Sequence, residues 1–426
     1  EVLVHPACLP AGAGGNRVTM VATPAAVSVE ETVGVPGAPG PVRRIAVLRC
    51  NALGDYLMAT PALAALRAHF PEAELTLLGA PWHERFLAGR PGPVDRVLVV
   101  PQVDGLAGQP SGVPPASALA GFLATARTDG YDLAVQLHGG GGASNPLVRA
   151  LGARWSVGLR ASGAPPLDAT VPYRYYQPEA DRFLEVVRLV GADGPADYPL
   201  LAVSDAERDA AAALLPSDRP WVAIHAGATD PRRRWPPERF AAVADALTST
   251  GARPVLVGSA ADAGPSAAVA AAAVGPVTDL TGRTDLGTLA AVLKRCAVVV
   301  ANDSGPLHLA RAVGAATVGL YWCGNAINAA PPTRTRHRPL LSWTVHCPEC
   351  GADCSTAGHP HRPGEGCEHR PSFLGQIPVR EVQEEVSDLL GGVTAAPWTP
   401  EGTRTGRTPS RLTRAAPTHD PRGEGR

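Results

Sequence analysis

Ala301-Asn302-Asp303-Ser304-Gly305-Pro306-Leu307-His308 is the stretch whose reading decides the fold. Residues 296–300 before it, Cys-Ala-Val-Val-Val, have the apolar, β-branched pattern of a strand that a parallel sheet buries on both faces. Pro306 suits the first turn of a helix, where a missing N–H is no loss. A strand therefore runs into a helix through a small-residue turn. Asn302 or Asp303 can cap that helix, and the uncovered N–H groups around Ser304 and Gly305 would face an anion, with His308 on the first turn within reach. A well-capped structural helix accounts for the same residues.

A second segment has the same grammar. Residues 221–228, Trp-Val-Ala-Ile-His-Ala-Gly-Ala, read as a strand entering a loop at Gly227 and Ala228. The basic cluster Arg232-Arg233-Arg234-Trp235-Pro236 and an amphipathic stretch over 237–247 follow. Open α/β sheets bind ligands at the carboxyl ends of their strands, and forked guanidinium donors suit phosphate oxygens. The alternative is a solvated charge run beside a core tryptophan. Near the start of the globular part, residues 44–55 give a first strand and a loop containing Asn51 and Gly54, ending at Asp55. Asp55 opens a helical pattern through Tyr56, Ala59, Leu63, Leu66 and Phe70, which Pro61 either kinks or shortens to a start at Thr60. A carboxylate at such a strand end can act as a base or serve only as a cap.

Taken together, Ala52-Leu53-Gly54-Asp55 with Thr60-Pro61-Ala62-Leu63, Arg234-Trp235-Pro236, and Asp303-Ser304-Gly305 with His308 resemble the signatures of glycosyltransferase family nine, the ADP-heptose:lipopolysaccharide heptosyltransferases, over about residues 43–390. The resemblance implies a GT-B architecture: two Rossmann-like α/β domains facing across a cleft, with the donor nucleotide held mainly by the second. It implies an inverting transfer of a heptose from a nucleotide-diphosphate donor such as ADP-heptose to a glycan or glycolipid hydroxyl, with no catalytic cofactor or metal. Asp55 would be the base. Gly227, Ala228, Arg233, Arg234, Asp303, Ser304, Gly305 and His308 would surround the donor, and Asn51, Gly54, His138 and Gly139 would lie on the acceptor side. Family members commonly carry lysine where this chain has Arg233, which keeps the charge but changes its reach. A catalytically silent sugar-nucleotide-binding protein, or a sugar-nucleotide epimerase on the same fold, remains open.

Strand-like segments at 74–78, 96–100 and 133–137 support a first α/β domain over 41–216. Those at 221–224, 254–257, 298–301 and 316–321 support a second over 217–345, followed by a Cys/His-rich excursion over 346–377 and a closing helix over 378–392. In GT-B proteins such a helix often crosses back to the first domain. Residues 1–40 and 393–426 read as flexible ends, Met20 offers an internal start, and neither end has the pattern of a signal peptide. No run is long and apolar enough to span a membrane, so the expectation is a cytoplasmic protein, with peripheral membrane contact left open; a place in lipopolysaccharide biosynthesis is what the resemblance implies.

The 426 residues carry 38 Lys+Arg against 39 Asp+Glu, a net charge of -1 that gives no electrostatic case for nucleic acid as a partner. Lys294 is the only lysine, so arginine supplies nearly all the cations. His138-Gly139-Gly140-Gly141-Gly142 could be an oxyanion loop, but no Gly-x-Ser-x-Gly accompanies it, so a serine hydrolase is not expected. Cys347, Cys350, Cys354 and Cys367 could close a structural zinc site distant from the chemistry; reduced thiols or a disulfide would fit as well.

Overall fold

The structure is a computed structural model and describes residues 41–106, 116–198, 201–216, 218–354 and 368–395. The expected extension over 1–40 and almost all of the expected tail over 393–426 lie outside the described residues.

Strands and helices alternate along the chain. The first part runs β1 (Arg44–Leu48), α1 (Leu53–His69), β2 (Glu74–Gly79), α2 (Pro81–Leu87), β3 (Arg96–Val99), α3 (Ala116–Thr128), β4 (Leu133–Gln136), α4 (Ser144–Ala150), β5 (Trp155–Arg160), β6 (Ala169–Pro172) and α5 (Glu179–Arg188). After α6 (Asp205–Leu214) come β7 (Trp221–His225), α7 (Pro237–Thr250), β8 (Arg253–Leu256), α8 (Ala263–Ala272), β9 (Thr278–Asp279), α9 (Leu286–Arg295), β10 (Val298–Asn302), α10 (Gly305–Ala312), β11 (Ala316–Trp322), α11 (Cys323–Ala329), β12 (His337–Ser342) and α12 (Val379–Ala395).

Two parallel six-stranded sheets result, ordered β3-β2-β1-β4-β5-β6 and β12-β11-β10-β7-β8-β9. Counted from its own first strand, the second sheet repeats the order of the first. Each reverses direction once, between β1 and β4 and between β7 and β10, and the crevice at such a reversal is where open α/β sheets take ligands. All three sequence segments end at these two reversals. The central strands hold that geometry because they are apolar throughout: Val298, Val299 and Val300 of β10 are fully buried, each contributing about 1.5–3 kcal/mol.

Pro61 neither ends nor delays α1. Proline cannot donate to the carbonyl four residues back, and the Thr60 hydroxyl donates to Leu57 O instead, at 2.6 Å. The helix therefore starts at Leu53 and carries Asp55 on its first turn. The closing helix packs with the second sheet: Val382, Val386, Leu389 and Leu390 join a cluster of buried residues drawn from β7, β8, β10 and β11, with none from the first sheet. It packs against α7 as well. Helix α6, expected at the end of the first domain, packs on α9 of the second and is tied to the first by the Arg90–Glu207 ion pair at 2.5 Å.

Candidate active site

The donor side is organised by one buried amide. Asn302, at the end of β10, accepts from Trp235 N–H at 3.0 Å and donates to Ala226 O at 2.9 Å and Gly227 O at 3.3 Å. It welds the loop after β7, the Arg-Trp-Pro segment and the start of α10 into one surface, and so does not cap the helix as expected. Ser304 is the N-cap residue, with extended backbone, and no side chain caps α10. Its hydroxyl donates to Asn302 O at 2.9 Å and lies 3.0 Å from His225 Nδ1. A side chain at Gly227 would collide with the Asp262 carboxylate, whose Oδ2 is 3.5 Å from His225 Nε2. The adjacent His225 imidazole, together with the Ser259 N–H and hydroxyl that donate to Oδ2, holds Asp262 well below the usual carboxylate range, at about 2.

The three arginines have three different duties. Arg232 is paired with Asp230, and Arg234 Nε donates to Ala228 O at 2.8 Å, bracing the loop. Arg233 reaches across to Asp303, with Nη1 3.3 Å from Oδ2. Asp303 is buried and also meets His308 Nε2 at 3.2 Å, while His308 Nδ1 lies 3.4 Å from the Tyr198 hydroxyl. His308 is thus buried with both ring nitrogens engaged. A pocket of about 240 Å³ opens beside Arg233, lined by Asp230, Arg232, Trp322, Asn325 and Phe373 from the second lobe and Tyr175 from the first.

On the facing lobe, Arg49 is buried under the loop after β1. Its Nη2 is 3.1 Å from Asp55 Oδ1 and 3.3 Å from Glu179 Oε2, Nη1 donates to Leu137 O at 2.7 Å, and Nε donates to Asp55 O at 2.9 Å. The group sits 4.7 Å over the Phe183 ring. Glu179, on the first turn of α5, also meets Arg182 Nη1 at 3.4 Å. Burial raises its pKa, with the nearby Asp55 charge acting in the same direction against Arg49. The N-cap of α1 is Ala52 and not Asp55, which as the third helical residue accepts from Ala52 N–H at 3.2 Å through Oδ2 while its other oxygen meets Arg49.

The acceptor-side expectations divide. Gly54 faces the other lobe: a Cβ there would sit 3.0 Å from His308 Cδ2, and one at Gly305 would sit 3.4 Å from the Leu53 side chain. The two glycines let α1 and α10 meet end to end. Asn51 lends its carbonyl to Trp82 Nε1 at 3.1 Å. His138 is buried, with Nδ1 accepting from Cys50 N–H at 3.3 Å, so it braces the β1 and β4 loops; Gly139 turns the chain at φ 64°. Burial pushes the Cys50 thiol up to about 12. Sequence reasoning missed Arg49, Glu179, His225, Asp262 and Tyr198. Arg49 and His225 stood within the quoted strand ends, and a polar residue closing an apolar strand was their available signal.

A histidine joins the expected thiolate set. Cys347 and Cys350 have the imidazole of His369 as a third ligand group within 4.8 Å; Cys354 stands near both thiols, and Cys367 lies outside the described residues. This region is not remote from the basic loop, because Phe373 N–H donates to Arg232 O at 2.8 Å.

The sequence profile of glycosyltransferase family 9 (heptosyltransferase) matches residues 122–356. The chain belongs to that family. Lipopolysaccharide heptosyltransferase 2 of Escherichia coli (strain K12) is 30% identical over 203 residues, 46% of this chain and 55% of the relative. Lipooligosaccharide heptosyltransferase 2 of Haemophilus influenzae is 30% identical over 162 residues, 35% of this chain and 44% of the relative. The chain spans about half the length of the curated relatives it matches. The fold is that of family 9 proteins of known structure. A family 9 glycosyl transferase from Veillonella parvula superposes with a TM-score of 0.67 at 21% identity, covering 84% of this chain and 99% of that one. E. coli ADP-heptose heptosyltransferase II gives 0.62 at 22% identity, covering 82% and 99%. The two lobes are therefore the paired Rossmann-like domains of the GT-B architecture.

Proposed function

We propose that this family 9 chain is an inverting glycosyltransferase that moves a heptose from ADP-heptose to a hydroxyl of a glycan or glycolipid in lipopolysaccharide assembly. The relatives' names support the sugar and the pathway, and a solved E. coli heptosyltransferase was captured with ADP. The observation that carries the proposal is the contact between Gly54 and His308. It brings the first turn of α1, which carries Asp55, against the first turn of α10, whose start has no side-chain cap and lies beside the Arg233–Asp303 pair.

Each group then has a chemical task. Asp55 accepts the acceptor proton as the hydroxyl oxygen forms its bond to the anomeric carbon. The bond from that carbon to the diphosphate oxygen breaks, and ADP leaves with the growing negative charge. Arg233, the Ser304 and Gly305 backbone and the α10 dipole stabilise that charge. Displacement in one step from the face opposite the leaving group inverts the anomeric centre. These charges serve the leaving group without any call on a catalytic metal. Asn302 fixes the loops that present them, and Asp303 holds Arg233 extended toward the site before the donor arrives.

The Ala52–Asp55 hydrogen bond favours a second reading, sugar-nucleotide binding without turnover, because it gives Asp55 a structural task of its own. The protein should be incubated with ADP-heptose and heptose-acceptor glycolipid, reading ADP release and the anomeric configuration of the product. Acceptor-dependent ADP release with an inverted product supports transfer. Saturable donor binding with no release supports the silent binder.

A further inference from the structure

Beyond the cleft, the excursion after β12 draws ligand-bearing side chains together. Cys347, Cys350 and His369 each offer one ligand atom, and these atoms all lie within 4.8 Å of one another. The backbone explains the first two. Cys347-Pro348-Glu349-Cys350-Gly351 is a tight turn closed by Gly351 N–H to Cys347 O at 2.9 Å, with Gly351 at φ 72°, where glycine alone is unstrained. Cys347 N–H to Ala352 O at 2.8 Å and Cys354 N–H to Val345 O at 2.7 Å zip the next residues back as a hairpin. His369 arrives from the far side of the excursion, its Nε2 3.4 Å from Glu349 Oε2.

We propose that Cys347, Cys350 and His369 bind a thiolate-preferring transition-metal ion, zinc being the species their chemistry fits. We further infer that this ion fastens the excursion to the loop presenting Arg233. Two thiolates and an imidazole are the ligands of tetrahedral zinc sites, where neighbouring ligand atoms stand about 3.5–4 Å apart, so a small side-chain rotation closes the set. The mechanical link is short. Three residues beyond His369, the Ser372 hydroxyl donates to Arg234 O at 2.5 Å, and Phe373 N–H donates to Arg232 O. Arg239 then holds Gly375 O and Ile377 O, and Trp235 Nε1 holds Ile377 O at 3.1 Å. The ion therefore anchors the outer end of a strap whose inner end is bonded on both sides of Arg233.

The metal site stands apart from the proposed activity, whereas its effect on the donor rests on that reading. Elemental analysis of the full chain as purified should find roughly one equivalent of zinc or iron. Cys350→Ser and His369→Ala should lose it, while His369→Cys and Glu349→Gln keep it, a pattern that a simple His369–Glu349 ion pair does not give. Circular dichroism should show Cys350→Ser folded, and calorimetry should show its ADP affinity reduced about fivefold or more. Metal-free wild-type protein, or metal unchanged by Cys350→Ser, overturns the site. Metal lost with ADP affinity unchanged overturns the strap. Wild-type protein that holds metal but never binds ADP counts against the proposed activity and leaves the site standing.

Discussion

The Arg49 guanidinium grips the Asp55 carboxylate, with Nη2 3.1 Å from Oδ1, while the same nitrogen stands 3.3 Å from Glu179. One buried cation thus balances two acids on different helices and aims the carboxylate proposed as base. Arg49→Ala would leave both acids facing each other without it. Removing one partner of a buried ionic set costs about 3–5 kcal/mol, and that loss should appear in denaturant unfolding. Arg49→Lys should lose less, because the ammonium keeps the charge between the two acids, yet still lose some, because it cannot reproduce the four guanidinium contacts. A variant as stable as wild type would show that the cluster is not the brace described here.

Gly54→Ala should separate the lobes. Its new methyl would stand 3.0 Å from His308 Cδ2, and His308 cannot swing away while Asp303 and Tyr198 hold both its nitrogens. Overpacking of this kind costs about 1–3 kcal/mol. A lower melting temperature together with lower transfer activity is expected, and unchanged values for both would contradict the close approach of α1 and α10.

Arg233→Ala should weaken ADP binding and slow transfer together, since it deletes a diphosphate partner in ground and transition states alike. A charged hydrogen bond of this sort contributes about 1.5–3 kcal/mol, or roughly ten- to hundredfold. Arg234→Ala should act through the loop, lowering stability through the lost Ala228 contact. Calorimetric ADP affinity unchanged by Arg233→Ala would return the cluster to a solvated face.

The Asp262–His225 pair gives an acid limb to stability. Asp262 has a folded pKa of about 2, below its ordinary 3.8. It therefore stabilises the fold above pH 3.8, and that stabilisation is lost as pH falls through about 2. At 3.5 Å the contact is long for a hydrogen bond, so we expect about 1–2 kcal/mol from it. Asp262→Asn should flatten the dependence of the unfolding midpoint between about pH 4 and pH 2. An unaltered acid limb would place the source elsewhere.

Much of the fold was legible because the central strands β1, β4, β7 and β10 are apolar runs ending in small-residue loops. β5, β6 and β12 were not, since Arg160, Pro172, Arg338 and Pro339 dilute their pattern at the sheet margins. At the site, Asp55, Arg233 and Ser304 could be named from local chemistry. Arg49–Glu179 and His225–Asp262 could not, because each joins residues far apart in sequence that meet only when the strand order is known. Asn302 shows the limit most clearly: read locally it is a helix cap, and only the fold turns its amide toward Trp235 and Gly227.

Asp55→Asn tests most directly whether the Arg49-held carboxylate is the base. The amide keeps the shape but cannot take the acceptor proton. With ADP-heptose and acceptor, ADP release should fall by about 10²–10⁴-fold, while ADP affinity by calorimetry stays close to wild type. Wild-type turnover by Asp55→Asn, in protein shown to be folded and to bind ADP, would contradict that role.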